Sequence, residues 1–187
     1  SDHFHFHDEQ LDVLILNAAH SGAAGWAADM SGISKSVAVN HLGQSYLTLL
    51  LIQNSLLDLE SGRIIIQGSG TALVAQEEDL IDIAIQRQGD ENNSFGQVHL
   101  ASQESTLTMD PGFRTYSATK AMNVVFALEL ARRLRSVQTY ERVRVFLSMP
   151  PGTVRTNLTS SYLSNPVYLK EVQSLKDSAM LTPSEGA

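Results

Sequence analysis

The stretch GRIIIQGSG, Gly62 to Gly70, places three consecutive isoleucines between glycines. A run with no polar alternation is what a strand shows when both faces of its sheet are covered. LDVLILN, Leu11 to Asn17, has the same character. RVRVFLSM, Arg142 to Met149, reads as a third strand, which Pro150 and Pro151 close. A helix is predicted between the first two runs, over roughly Ile33 to Asp58. Another begins near Arg114, in RTYSATKAMNVVFALELARRL, and leads to the third run. Strand, helix, strand, helix, strand implies right-handed parallel crossovers in an α/β sheet.

The 187 residues have the size of one domain with a real core. Hydrophobic content of 43% and charge of 18% exclude a disordered chain. A net charge of −7 argues against nucleic acid, whose phosphates call for clustered Lys and Arg. Arg132, Arg133 and Arg135 do cluster, but they follow Glu129 at helical spacing and read as a solvated, paired face. The absence of cysteine excludes disulfides and thiolate chemistry. Residues 1–10 lack the apolar segment of a secretory signal, so the sequons at Asn92 and Asn157 carry little weight. The apolar run from Tyr46 to Leu59 is interrupted by Gln53, Asn54 and Ser55; a buried helix is expected there, not a transmembrane segment. An intracellular, cytoplasmic setting is expected, with a membrane-associated parent protein left open.

Two regions break the rhythm. Residues 70–112 make a connection far longer than such sheets normally use. Within it EEDLIDIAIQ has the pattern of a short amphipathic helix, and RQGDENNSFGQ that of a polar, mobile loop. Near the end, NPVYLKEVQSLKD reads as a helix with Asn165 as N-cap and Pro166 at its first position, and TPSEGA as the first turn of another.

In open α/β sheets, ligands gather beyond the carboxyl ends of the strands. Asn17, Ala18 and Ala19 follow the first predicted strand, Gly68 and Ser69 the second, and Pro151 and Gly152 the third. Tyr116 and Lys120 open the helix beside the second strand, one helical turn apart. On spacing alone they read as a proton-transfer pair or, more often at this separation, as unrelated neighbours on an ordinary helix face.

Five stretches in order, LILNAAH, VAVNHLGQSYLTLLL, GRIIIQGSG, YSATK and PPGTVRTNL, resemble the short-chain dehydrogenase/reductase family over nearly the whole chain. The phrase around Asn40 is most similar to its retinol-dehydrogenase-like and related lipid or steroid branches. The resemblance implies an α/β fold of partial Rossmann type, a doubly wound parallel sheet lacking the first βαβ unit. It also implies an NAD- or NADP-dependent oxidoreductase acting on a small-molecule carbonyl or alcohol, of lipid, retinoid or steroid-like character. Tyr116 is then the acid/base. A free tyrosine titrates near 10, and a cation one turn away, Lys120, is expected to lower that value and to hold the cofactor ribose. Ser69 is expected to orient the substrate oxygen, Gly68 to let the backbone pass close to ligands, and Asn40 to support a water relay. Asn17, Ala18 and Ala19 correspond to the segment beside the adenosine half, where Ala19 replaces the family's usual glycine. Pro151, Gly152, Val154 and Thr156 correspond to the loop around the nicotinamide.

Each residue alone has a plainer reading. Ser69 fits a strand-end cap, and Asn40 a helix asparagine satisfied by backbone. His41 fits a packing role, while His20 is placed to line the cofactor groove. Trp26 and Met30 fit the core or the cleft wall. His3, His5 and His7 alternate in HFHFH, but a metal site is not expected at a terminal segment without carboxylate support.

The resemblance also implies a glycine-rich phosphate turn well before Leu11, and residues 1–10 contain no glycine. HSGAAG, His20 to Gly25, follows the wrong strand for that role. The chain therefore reads as a fragment, truncated at its N-terminus and before its final strand, that binds nicotinamide cofactor weakly by itself. Such a fragment offers a second reading, a non-catalytic remnant acting through protein contacts. Val125, Phe126, Leu128 and Leu130 spread over two helix faces, and helices of this family often form homodimer interfaces.

Overall fold

The computed structural model describes residues 10–21, 34–75, 111–151 and 184, with Val74, Pro111 and Gly112 described by backbone alone. The readings of His3, His5, His7, Trp26, Met30, Asn92, Asn157, residues 77–97 and residues 152–182, Gly152, Val154 and Thr156 among them, lie outside the described residues.

Three parallel strands form the sheet in the order β1 (Val13–Leu16), β2 (Arg63–Gln67) and β3 (Arg144–Ser148). Leu14, Ile64 and Val145 share one register position, and Leu16, Ile66 and Leu147 share another on the same face. That face carries the core. Leu16, Ile64 and Ile66 are buried with Ile52, Leu57, Ala127, Leu130, Leu134 and Val143. Sequence reading placed all three strands, each two or three residues longer than the ladders that form. Leu11 lies outside the ladder and makes a single parallel bridge to Leu57.

The expectation of two covered faces is corrected. On the opposite face Ile15 is 63% exposed and Phe146 48%, with Val13 exposed beside them. Every described helix packs on the other side, so strands with apolar residues on both faces bury only one set.

The first helical stretch is not one regular helix. It runs as α1 (Lys35–Val37), a π-helical turn (Ala38–Leu42) and α2 (Gly43–Gln53). Such wide turns are rare and are found disproportionately at functional sites. The stretch ends before the predicted Asp58. Ser55, at φ 54, is the described non-glycine residue with positive φ. The Ser55 amide donates to the Ile52 carbonyl and the Leu56 amide to that of Leu51, the paired bonds that close a helix through a left-handed residue. Nor is α2 buried as expected. Thr48 and Ile52, four residues apart, face inward, whereas Tyr46, Leu47 and Leu49 are exposed. Gly62 makes the tight entry to β2: a Cβ there would sit 2.1 Å from the Asp58 carbonyl oxygen.

The long connection is shorter at both ends than residues 70–112. Gly70–Val74 form a 3-10 turn, and the second major helix, α3, spans Pro111–Arg135, three residues ahead of its predicted start. Its Arg132 and Arg133 pair with Glu129 on an exposed face, as the spacing implied. Among the described residues no helix is long and apolar enough to cross a membrane.

Candidate active site

Tyr116, Lys120 and Ser69 come together at the carboxyl end of β2. The strand ends at Gln67, Gly68 is buried, and Ser69 opens the 3-10 turn. The Ser69 hydroxyl accepts from the Thr71 amide at 3.3 Å and from the Thr71 hydroxyl at 3.0 Å. A hydroxyl has two acceptor positions and one proton. With both acceptors engaged, its proton is directed to the phenol oxygen of Tyr116, to which it is hydrogen-bonded. Ser69 is thus a turn cap and a partner of Tyr116 at once.

Lys120 is 2% exposed. Its ammonium donates to the Gln67 carbonyl at 2.9 Å and lies 5.7 Å from the centre of the Tyr116 ring. Burial pulls its pKa down to about 8. Tyr116 moves opposite to expectation. Burial raises it above 10, and the Ser69 hydrogen bond only partly offsets that rise. The physical reason is that burial disfavours both charged forms, the phenolate and the ammonium, while the ammonium is turned toward Gln67.

Asn40 sits in the π-helical turn and is fully buried. Its Oδ1 accepts from the His20 amide at 2.6 Å, and its Nδ2 donates to the His20 carbonyl at 2.9 Å and to Thr119 Oγ1 at 3.0 Å. Thr119 in turn donates to the Tyr116 carbonyl at 2.7 Å. Asn40 therefore ties the loop after β1 to the turn of α3 that carries both Tyr116 and Lys120, and it touches Lys120 through none of these bonds. Asn17, Ala18 and Ala19 form an exposed edge after β1, braced where Gln44 Nε2 donates to the Ala18 carbonyl. Pro151 lies exposed three residues beyond β3.

Gly68 is corrected. A Cβ there would meet Met149 Cγ at 3.0 Å, Leu147 Cδ1 at 3.3 Å and the Ser148 carbonyl oxygen at 3.3 Å. Its small size lets β2 and β3 end side by side. His20 lies at the rim, its pKa lowered by burial and then by Lys35. His41 packs as expected, edge-on to Phe126 with ring centres 6.0 Å apart. Sequence reading passed over Thr119, Gln67, Gln44 and Asn123. Asn123 had a visible signal: it stands three residues after Lys120 on the stripe that continues through Ala127, Leu130 and Leu134, a polar residue at a core position.

No protein-family model matches the chain. Among curated proteins it is 29% identical over 181 residues to retinol dehydrogenase 14 of Homo sapiens, covering 96% of this chain and 45% of that protein. It is 32% identical over 124 residues to the WW domain-containing oxidoreductase of Pongo abelii, covering 66% of this chain and 26% of that protein. The chain thus spans less than half the length of these relatives. Among solved structures, an uncharacterized protein from Mycobacterium Paratuberculosis shares the fold with a TM-score of 0.54 and 23% identity, over 94% of this chain and 52% of that one. With a three-stranded parallel sheet and these relatives, the chain is similar to short-chain dehydrogenases/reductases and has an α/β, Rossmann-like fold.

Proposed function

We propose that the chain carries the proton-transfer half of an NAD(P)-dependent oxidoreductase that interconverts a carbonyl and an alcohol. The observation behind this reading is the juxtaposition of the Tyr116 and Ser69 hydroxyls with the buried Lys120 ammonium at one strand end. The name of the first relative, a retinol dehydrogenase, favours an apolar alcohol of retinoid, lipid or steroid-like character.

The residues present fit the ribose and nicotinamide half of such a dinucleotide. Lys120 has three ammonium protons and one hydrogen-bond acceptor among the described residues, which suits it to a vicinal diol. The exposed edge at Asn17, Ala18 and Ala19 and the exposed Pro151 border the same rim, with Gly152, Val154 and Thr156 assigned to the nicotinamide loop by resemblance. When bound, the cofactor supplies the hydride acceptor or donor. In reduction, Tyr116 gives its phenolic proton to the carbonyl oxygen as the C–H bond forms. In oxidation, the substrate hydroxyl returns that proton to the phenolate. When substrate enters, Ser69 turns its one proton from the Tyr116 oxygen to the same substrate oxygen, stabilising the charge that develops there. Lys120, when charged, favours the phenolate, and Asn40 holds the turn that aims both residues.

In the longest natural form that contains this chain, Tyr116→Phe is expected to lower turnover of NAD(P)-linked alcohol oxidation by about 10²–10⁴-fold, with NADH and NADPH binding retained. Undiminished turnover in that variant removes the role assigned to Tyr116.

The exposed Tyr46, Leu47 and Leu49 of α2 and Val125 and Leu128 of α3 favour a second reading, in which the chain acts by protein contact, as a homodimer or on another partner. Light scattering and a dehydrogenase assay on one sample separate the two readings.

A further inference from the structure

Asn123 is 2% exposed and lies one turn beyond Lys120 on α3. Its Nδ2 donates to the backbone carbonyl of Asn40 at 2.9 Å. Its Oδ1 lies 2.9 Å from His41 Nδ1. Because the amide nitrogen is committed as a donor, Oδ1 must accept, which places a proton on His41 Nδ1. One carboxamide therefore holds two consecutive residues of the π-helical turn, the first by its main chain and the second by its ring. The side chain of Asn40 then reaches the other way, to both backbone polar groups of His20 and to Thr119. The order of support runs from Asn123 to the wide turn, from the turn to Asn40, and from Asn40 to the loop after β1 and the Tyr116 turn.

We propose that Asn123 is a positioning residue of the site: by clamping the Asn40–His41 turn against α3 it keeps the Asn40 carboxamide on His20 and Thr119. The link to catalysis rests on the proposed reading of Tyr116, Ser69 and Lys120, but the first test needs no turnover. The His20 amide, held by Asn40 Oδ1, reports the clamp by hydrogen exchange; the Ile64, Ile65 and Ile66 amides of β2 report the sheet. In the 187-residue chain, Asn123→Leu keeps the volume and removes both hydrogen bonds. It is expected to speed exchange at His20 by about tenfold, the equivalent of one lost hydrogen bond, while the β2 amides keep their protection. Unchanged exchange at His20 overturns the proposal. Equal acceleration at His20 and β2 also overturns it, since Asn123 would then be a general core residue. Should Asn123→Leu fail to fold, His41→Leu decides. That variant removes the Oδ1 contact alone and should speed His20 exchange by a smaller factor with β2 unchanged; no acceleration there counts against the clamp. In the longest natural form, Asn123→Leu is expected to lower kcat with KM little changed, whereas unchanged kcat overturns the positioning role. If that form shows no NAD(P)-linked turnover at all, the oxidoreductase reading fails and the exchange result still stands.

Discussion

The two halves of α3 are built on one stripe and serve opposite ends. From Ala127 through Leu130 to Leu134 the inward positions are apolar and join the core under the sheet. From Thr115 to Asn123 the buried positions are Thr115, Ser117, Ala118, Thr119, Lys120 and Asn123, and all but Ala118 are polar. The rear half is what a helix does to stabilise a domain. The front half works against stability, since each buried polar group needs a partner and a buried ammonium is disfavoured. Most of these partners are present, at Gln67, Asn40, His41 and the Tyr116 carbonyl. The Ser117 hydroxyl has none among the described residues. A helix that keeps its rear apolar and its front polar under the same burial carries chemistry in front and is anchored from behind.

The contrast can be broken from the rear. Leu130→Ala empties a core position and should cost about 2–5 kcal/mol of stability, read as a lower denaturant midpoint. A cost below 1 kcal/mol would mean that the rear half does not anchor the helix.

The front half predicts a change of opposite sign. Lys120 has a folded-state pKa of about 8, below its ordinary 10.5. Between those values the unfolded chain binds more protons, so stability rises with pH across that window; below about 8 the penalty is fully present. The gain from pH 7 to 9.5 is expected to be about 2 kcal/mol, and Lys120→Met should abolish it and raise stability at pH 7. The window stops short of 10, because the raised Tyr116 reverses the trend where its unfolded counterpart ionises. Denaturant titrations of both proteins at three pH values measure the slope, and equal slopes would dismiss the buried cation.

The smallest effect belongs to the exposed side of the rear half. Glu129 is held down to about 2 by its hydrogen bonds to Arg132 and then Arg133. A carboxylate lowered in the folded state contributes stability above its unfolded pKa and loses it as pH falls toward 2. Solvent and salt screen so exposed a pair, so Glu129→Gln should shift the midpoint less than either variant above, and not at all in 1 M salt. A shift as large as that of Leu130→Ala would place this face in the core.

Much of this was legible in the residues. Short runs rich in Ile, Leu and Val mark three strands, too short for buried helices and β-branched in character, and glycine and proline mark where they end. The parallel order follows, since each pair is joined by a helix-length segment. Tyr116, Lys120 and Ser69 were legible too, as residues following strand ends or opening a helix that must meet at one rim. Contact was not. The tertiary structure alone decided that the Lys120 ammonium turns to Gln67, that burial of Tyr116 outweighs its hydrogen bond from Ser69, that Gly68 makes room for Met149, and that Asn123 bonds the Asn40 main chain. These outcomes depend on which groups meet across as many as 83 residues of chain and on how much water is excluded between them. Sequence sets the period of a helix or strand, which is local; direction of a hydrogen bond and sign of a pKa shift are set by neighbours that only folding brings together.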